Sequence, residues 1–396
     1  MRTVFNSGRL MTAAAWFVIV FASAGPAWPQ SPALTITLTG QSMLRADIRA
    51  HSPAAVATIA SLLKGDVKFT NFETTIFDEK KGQSLRDGRF VSVPETLEAL
   101  QSFGFNLVSL CNNHAFDLKA AGIQNALEEA KHLNLAHAGI GMTIEEAAAP
   151  AYLRTAKGTV AVVAMASGLL PEGASATATR AGVNELRVDA AMKPNAEDTQ
   201  RILESIREAG KRADLVIAYQ HNHVFEKPFG TIMQEELPER LAPPDWLKKW
   251  AHAEVDAGAD LIVMHGAPLV HGVEIYRGRP IFYDLGNFIF QYPPPRVLLD
   301  EPIIWESVVA YVEFQGKNLQ SIQFRPIAQN KIGQGQPDMH DEYANNLFLQ
   351  TRGLPSPATG DQAHYILERL ADSSRPFGTI VEVKGDTGEI RLKARN

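Results

Sequence analysis

Four short apolar runs in this sequence end in side chains that could bind a metal ion, and helical stretches separate them. The runs and the residues that follow them are Val67–Phe69 before Glu73, Leu107–Leu110 before Asn113 and His114, Leu215–Tyr219 before His221 and His223, and Leu261–Met264 before His265. Ligands of α/β proteins gather at the carboxyl ends of strands, so we expect these side chains to line one site.

The alternation of β-rich runs with amphipathic segments predicts an α/β fold, built from βαβ units around a sheet core. Besides the four runs, strands are predicted at Leu34–Thr39 and Thr159–Ala166, and helices at Pro53–Lys64, Pro94–Phe103, Ala120–Leu133, Asn195–Arg212 and Pro244–Ala257. A hairpin is predicted where VEIY and PIFY flank Arg277-Gly278.

The sequence changes character after Gln291, where Pro293-Pro294-Pro295 interrupts the chain and short β-rich runs follow. The runs predict antiparallel strands at Ser307–Phe314, Leu319–Ile327, Thr379–Val383 and Glu389–Lys393. These strands are expected to complete the sheets of one compact unit. The polar segment Asn330–Ala358 is interpreted as a loop at the mouth of a cleft.

The candidate ligands supply imidazole nitrogen, carboxylate oxygen and amide oxygen, which suit zinc, manganese or iron. The lack of thiolates argues against a structural zinc site, because the chain has one cysteine, Cys111. Cys111 follows an apolar run and is interpreted as a small buried hydrophobic residue. No G-x-S-x-G elbow is present to support a serine nucleophile.

The segments NNHAFD and EIYRGRPIFYDLGNFIF resemble the CapA-type poly-γ-glutamate capsule-synthesis proteins, whose domain looks like a calcineurin-type metallophosphatase. The resemblance covers roughly Leu34 to Gln291. It implies a layered calcineurin-like metallophosphatase fold, with C-terminal antiparallel strands completing the sheets. It also implies that one metal-binding cleft is lined, position by position, by Glu73, Asn113, His114, His221 and His265.

Two positions depart from the pattern of the family. Gln41 stands where the family usually has an aspartate, and Pro268 stands where it usually has a second histidine. Two expected ligands are therefore missing, and we expect about one divalent transition metal ion per chain. Asp47, His223 or His271 are candidates to complete that site.

The first functional hypothesis is a metal-dependent hydrolase that acts in capsule, poly-γ-glutamate or related polymer metabolism. His223 is the candidate acid/base, with Asp117 or His271 as alternatives, because imidazole titrates near neutrality. Asn113 would position an oxyanion or the metal. Gln41, His271 and Asn287 are expected to contact the substrate.

The second hypothesis is a non-catalytic protein for poly-γ-glutamate biosynthesis, export or binding that retains a degenerate metallophosphatase fold. The partner would be a small-molecule or anionic polymer substrate, and hydrolysis of a phosphate ester, an amide or a carboxylic ester stays open. The formal net charge of −6 argues against nucleic acid.

Residues 1–30 have the pattern of a secretory signal peptide: two arginines, the apolar stretch Met11–Ala24 and a small-residue cleavage site at Gly25-Pro26-Ala27. We therefore expect an exported protein, periplasmic or extracellular. Association with a membrane would require that this segment stay uncleaved. The rest, residues 31–396, is expected to form one domain, with the motif-bearing core at residues 34–291 and a β-rich part at residues 292–396.

Overall fold

The computed structural model describes residues 32–234, 242–292, 301–335 and 346–392, together with Met1 and Thr3. The chain divides into two units, Met1–Ser31 and Pro32–Asn396, and all the elements below belong to the second. The predicted cleavage site and the triple proline at 293–295 lie outside the described residues. No helix of the described residues is long and apolar enough to cross a membrane.

The predicted strands are present, and the structure adds several short strands that the sequence analysis did not predict. In chain order the strands are β1 Ala33–Leu38, β2 Gln41–Met43, β3 Val67–Asn71, β4 Thr75–Ile76, β5 Val91–Ser92, β6 Leu107–Ser109, β7 Ala136–Ala138, β8 Ile140–Gly141, β9 Ala151–Thr155, β10 Gly158–Ser167, β11 Gly182–Val183, β12 Leu215–Asn222, β13 Leu261–His265, β14 Val273–Tyr276, β15 Arg279–Phe282, β16 Asn287–Phe290, β17 Glu306–Gln315, β18 Asn318–Gln329, β19 Pro355–Pro357, β20 Val381–Lys384 and β21 Thr387–Ile390.

The helices are α1 Pro53–Leu62, α2 Glu95–Phe103, α3 Lys119–His132, α4 Ile144–Ala148, α5 Ala196–Gly210, α6 Phe229–Gln234, α7 Asp245–Ala257, α8 Asn346–Thr351 and α9 Gly360–Ser374. Their ends have local causes. The Asn195 side chain accepts hydrogen bonds from the Glu197 and Asp198 amides at the start of α5. Gly258, at φ 118°, ends α7 in a conformation that costs glycine little.

Within the described residues, the strands form two main sheets. The larger sheet has nine strands in the order β20-β21-β18-β17-β1-β3-β6-β7, with β19 paired to β18. The smaller has six strands in the order β14-β15-β13-β12-β10-β9. The strands β1, β3, β6 and β7 are parallel, whereas β17 pairs with β1 in antiparallel fashion and continues the larger sheet with C-terminal strands.

The two sheets pack face to face, and helices cover the outer face of the smaller sheet. Phe69 of β3 meets Tyr219 of β12, with ring centroids 5.5 Å apart. Alternate residues of β10 face opposite ways: Val162 belongs to the core between the sheets, whereas Val163 belongs to the core under α5 and α7. This arrangement confirms the predicted layered α/β fold with C-terminal antiparallel strands.

Two parts of the C-terminal prediction need correction. The described part of Asn330–Ala358 is not simply a loop, because it contains α8 and β19. The sequence analysis also missed the fifteen-residue helix α9, whose residues Ile366, Leu367 and Leu370 are buried. Their three- and four-residue spacing is the periodic signal that could have found it.

Candidate metal centre

The candidate site lies where strands of both sheets end. Glu73 follows β3, and Asn113 and His114 follow β6 in the larger sheet. In the smaller sheet, His221 lies near the end of β12 and pairs in register with His265, the last residue of β13. Parallel pairing brings these carboxyl ends to one edge of each sheet.

Glu73, His221 and His223 form a compact group of possible metal ligands. One ligand atom from each residue lies within 4.8 Å of the others. The Nε2 atom of His221 is 3.7 Å from the Oε1 atom of Glu73, and the two histidine rings are 5.0 Å apart between centroids. The structure therefore brings His221 and His223 together at the end of β12.

Several polar atoms of this group have no hydrogen-bond partner in the described part of the chain. They are Oε2 of Glu73 and both ring nitrogens of His223. A buried polar atom without a partner costs about 1–3 kcal/mol, so folded proteins rarely leave several together. A carboxylate and two imidazoles are also the donor set of a transition metal site. The residues present therefore fit a divalent metal ion.

Burial shifts the protonation of all three groups toward the neutral form. The pKa of Glu73 is raised well above its usual value, first by burial and then by the charge of Asp117. The pKa of His221 is lowered well below its usual value by burial and by the neighbouring His223, His265 and His114. Burial lowers the pKa of His223 to about 3. Both imidazoles are thus neutral at pH 7, the form that binds metals.

A directed chain of hydrogen bonds runs from the metal-ligand group to Asp117. The Tyr219 hydroxyl lies 3.3 Å from Nδ1 of His221, and Nε2 of His221 lies 2.9 Å from Oδ1 of Asn113. Next, Nδ2 of Asn113 lies 3.2 Å from Nε2 of His114, whose Nδ1 is 3.0 Å from Oδ2 of Asp117.

One assignment of protons satisfies every member of this chain. The Asn113 amide donates to Nε2 of His114, so the ring carries its proton on Nδ1 and donates it to Asp117. His221 likewise donates from Nε2 to Asn113 and accepts from Tyr219, so a metal ion at Nε2 would have to replace that proton and the hydrogen bond to Asn113. His114 is therefore held by Asp117 and lies outside the group of Glu73, His221 and His223.

His265 lies beside this group, at the end of the neighbouring strand. It is buried, and neither of its ring nitrogens has a hydrogen-bond partner among the described residues. Its ring meets the edge of Tyr219 at 5.4 Å between centroids. Burial lowers its pKa to about 3, opposed by the backbone of Thr39.

The turn after His265 is tightly constrained. Gly266 has φ 134°, and a Cβ atom there would lie 2.0 Å from the carbonyl oxygen of Asn222. Asp284 is buried beside this turn and accepts a hydrogen bond from the Gly286 amide. Burial raises the pKa of Asp284 well above its usual value, although backbone hydrogen bonds, including one from Ala267, oppose the shift.

The two positions that depart from the family pattern lie at the cavity. Gln41 and Pro268 both line it. The Gln41 amide donates from Nε2 to Oδ1 of Asn287 over 3.1 Å, and Asn287 donates in turn to the Ile304 carbonyl. Asn287 is buried and is not among the residues that line the cavity.

The other candidates to complete the site lie apart from it. Asp47 forms an ion pair with Arg49 at 2.8 Å and lines a different, smaller pocket. His271 is buried before β14, where its amide donates to the Asp284 carbonyl. Neither residue belongs to the group of three.

A cavity of about 410 Å³ opens above the candidate ligands. Its polar lining includes Gln41, Glu73, Asn113, His114, Asp117 and His223. The sequence analysis missed its apolar lining, which includes Met43, Phe90, Leu169, Phe229, Phe290 and Tyr292. It also missed Tyr219, which could have been found from its position two residues before His221, because such residues share one face of a strand.

Cys111 is buried, as the sequence analysis predicted, and burial raises the pKa of its thiol. Its Sγ atom lies 3.7 Å from the Asn184 carbonyl oxygen. A buried thiol of raised pKa is a poor nucleophile, because the thiolate is the reactive form.

Comparison with known proteins identifies the family. The model described as "Bacterial capsule synthesis protein PGA_cap" matches residues 35–292. The chain is similar to the uncharacterized protein y4uA of Sinorhizobium fredii, at 28% identity over 88% of this chain and 90% of that protein. It is also similar to the capsule biosynthesis protein CapA of Bacillus anthracis, at 26% identity over 71% of this chain and 66% of that protein.

Two further similarities complete the comparison. The PGA biosynthesis protein CapA of Bacillus subtilis is 27% identical over 56% of this chain and 52% of that protein. The crystal structure of a phosphatase from Mycoplasma pneumoniae aligns over 75% of this chain and 94% of that chain, with a TM-score of 0.44 and 11% identity. Because the family model spans most of the described core, the chain belongs to the bacterial capsule synthesis protein PGA_cap family.

Proposed function

We propose that this chain is an exported, metal-dependent hydrolase that acts in capsule, poly-γ-glutamate or related polymer metabolism. The supporting observation is the buried group of Glu73, His221 and His223, in which Oε2 of Glu73 and both ring nitrogens of His223 lack a hydrogen-bond partner among the described residues. The names of the CapA relatives support a role in capsule or poly-γ-glutamate metabolism. The pattern of residues 1–30 supports export.

In this proposal Glu73, His221 and His223 hold one divalent transition metal ion. A bound metal supplies Lewis-acid polarisation of the scissile bond and of the attacking water. His223 joins the ligands because its ring lies within the group and both of its nitrogens lack another partner. Gln41 contributes no charge and is engaged with Asn287, which favours one metal ion over two.

His114 then becomes the best-placed proton carrier. It lines the cavity beside Asn113 and is oriented by Asp117, whose carboxylate accepts from Nδ1. Such a pair fixes the tautomer of the ring and stabilises the imidazolium that forms. The proton would be exchanged at Nε2, which accepts from the Asn113 amide in this structure and would have to exchange that hydrogen bond for one to the substrate. Asp117 is itself held by the Phe90 amide, which donates to it over 3.0 Å.

The test is hydrolysis by the full mature chain, first stripped with a chelator and then reloaded with zinc, manganese or iron(II). Substrates would be p-nitrophenyl phosphate, p-nitrophenyl acetate and γ-glutamyl-p-nitroanilide, which separate the three open bond types. We expect turnover of one class only after reloading. His221→Ala should abolish turnover and metal binding, whereas a control change at the exposed His364 of α9 should alter neither.

A different result would favour the non-catalytic alternative. If the chain binds metal stoichiometrically but hydrolyses none of the three substrates, and poly-γ-glutamate binds without being shortened, the hydrolase proposal is wrong. Gel filtration of the polymer after incubation with the metal-loaded chain measures the shortening directly.

A further inference from the structure

A row of aromatic rings lines the cavity above the candidate ligands. The ring centroid of Tyr292 lies 5.6 Å from that of Phe90 and 5.4 Å from that of Phe290, with interplanar angles of 32° and 23°. Phe90 and Phe290 are buried, whereas Tyr292 is partly exposed. Tyr292 is therefore the most exposed ring of this row.

Arg89 is the free cation of this cavity among the residues that the structure describes. It is exposed, lines the cavity next to Phe90, and forms no ion pair with any described residue. Neither acidic lining residue forms an ion pair with Arg89: Asp117 accepts hydrogen bonds from His114 and the Phe90 amide, and Glu73 is buried at the floor. The lining thus combines one available guanidinium with an aromatic wall.

We propose that the cavity selects a substrate in which one oxyanion group, a carboxylate or a phosphate, lies next to a planar apolar group. Arg89 pairs with the oxyanion, for which the guanidinium has a bidentate geometry. Tyr292, backed by Phe90 and Phe290, packs against the planar group. A cavity of about 410 Å³ has the size of a small-molecule site.

This composition favours a small compound of the proposed polymer metabolism over the poly-γ-glutamate chain itself, which is a regular polyanion. A chain with a carboxylate on every repeat needs several cations along its path, and it presents no flat apolar face to an aromatic wall. The inference rests on the proposed function only for the location of the reacting bond, because recognition by Arg89 and Tyr292 does not require the metal.

The test measures binding of phenylphosphonate and methylphosphonate to the full mature chain by calorimetry, in zinc and separately in EDTA. The two probes share an oxyanion and differ in the planar group. We expect phenylphosphonate to bind roughly three- to tenfold more tightly in both conditions. Phenylacetate, compared with phenylphosphonate, then shows whether the preferred oxyanion is a carboxylate or a phosphate.

Two variants separate the contribution of Tyr292 to binding from that of Arg89. Tyr292→Ala should abolish the preference for the phenyl group and leave methylphosphonate binding unchanged. Arg89→Met should weaken binding of both phosphonates by roughly ten- to a hundredfold. The matched controls are Tyr365→Ala on α9 and Arg154→Met on β9, which are exposed residues outside the cavity lining and should change neither affinity.

The inference is overturned if the parent chain binds both phosphonates equally, if Tyr292→Ala keeps the phenyl preference, or if Arg89→Met binds like the parent. These outcomes are separable from those of the proposed function. Phosphonate binding that depends on Arg89, with a phenyl preference that depends on Tyr292, in a chain that binds no metal would support this inference and contradict the hydrolase. Metal-dependent turnover without any phenyl preference would do the reverse.

Discussion

Replacing Glu73 with glutamine should have opposite effects on the metal-free and the metal-loaded protein. The Glu73 carboxyl is buried, its Oε2 atom lacks a partner, and its pKa is raised well above its usual value. Without metal, the folded chain must either keep this group protonated or bury a charge. Glutamine has nearly the same shape and removes that cost, but it cannot supply a negatively charged ligand.

The magnitude follows from proton linkage. The unfolded carboxyl loses its proton above pH ~4.3, whereas the folded one retains it because its pKa is raised. The folded state then binds one more proton, so the free energy of unfolding falls by about 1.4 kcal/mol per pH unit in that window. From pH 5 to pH 7 the metal-free parent should lose up to ~2.7 kcal/mol more than Glu73→Gln.

Zinc should reverse which of the two proteins, the parent or Glu73→Gln, is more stable at pH 7. A ligand at a hundred times its dissociation constant stabilises the folded state by about 2.7 kcal/mol. The parent should show this gain with zinc at pH 7, and Glu73→Gln should show little of it. Urea unfolding of both proteins at pH 5 and pH 7, in EDTA and in zinc, measures both the pH dependence of the free energy of unfolding and its increase on zinc binding.

Glu254 provides the matched control. It is fully buried in α7, its pKa is also raised well above its usual value by burial, and it is not part of the metal-ligand group. Glu254→Gln should reduce the pH dependence of unfolding as Glu73→Gln does, yet keep the full response to zinc. The reasoning is refuted if Glu73→Gln retains the zinc response of the parent, or if its pH dependence in EDTA matches that of the parent.

Three further predictions address the proton carrier, the turn and the leader. His114→Gln should retain metal by elemental analysis and lower kcat by ~10²–10⁴; loss of metal instead would make His114 a ligand, as the sequence resemblance implied. Gly266→Ala should lower the free energy of unfolding by at least ~2 kcal/mol, because its Cβ atom would collide with a backbone carbonyl. The control is Gly278→Ala, which should lower it by only about 1 kcal/mol, because Gly278 also has a positive φ, 76°, but has open space around it. N-terminal sequencing of the exported protein should find cleavage after Ala24 or Ala27, and an intact Met1 would indicate an uncleaved anchor.

The strands that carry the site were predictable because each is a continuous apolar run that ends at a polar residue. The predicted run Val67–Phe69 begins where β3, Val67–Asn71, begins, and the predicted run Leu261–Met264 ends one residue before the end of β13. A parallel strand that is buried on both faces needs a continuous apolar run, so local sequence is sufficient to locate it.

Other features depend on partners distant in the sequence. The short strand β2 exists through its pairing with β16, in which Gln41 meets Asn287. No property of either segment alone indicates that pairing. The chain of hydrogen bonds that holds His114 against Asp117 depends in the same way on side-chain conformations, which a motif does not specify. The structure brings several of the predicted site residues together at one cavity, and their roles depend on this geometry.

The most direct test of the metal centre is elemental analysis of the mature chain, purified without added metal and again after zinc loading and dialysis. The account predicts about one transition metal ion per chain after dialysis, and a large loss of metal in His223→Ala as well as in His221→Ala. Retention of parental metal by both variants would contradict it, as would two retained metal ions per chain. Substoichiometric metal under every condition would show that the buried group of Glu73, His221 and His223 is not a metal centre.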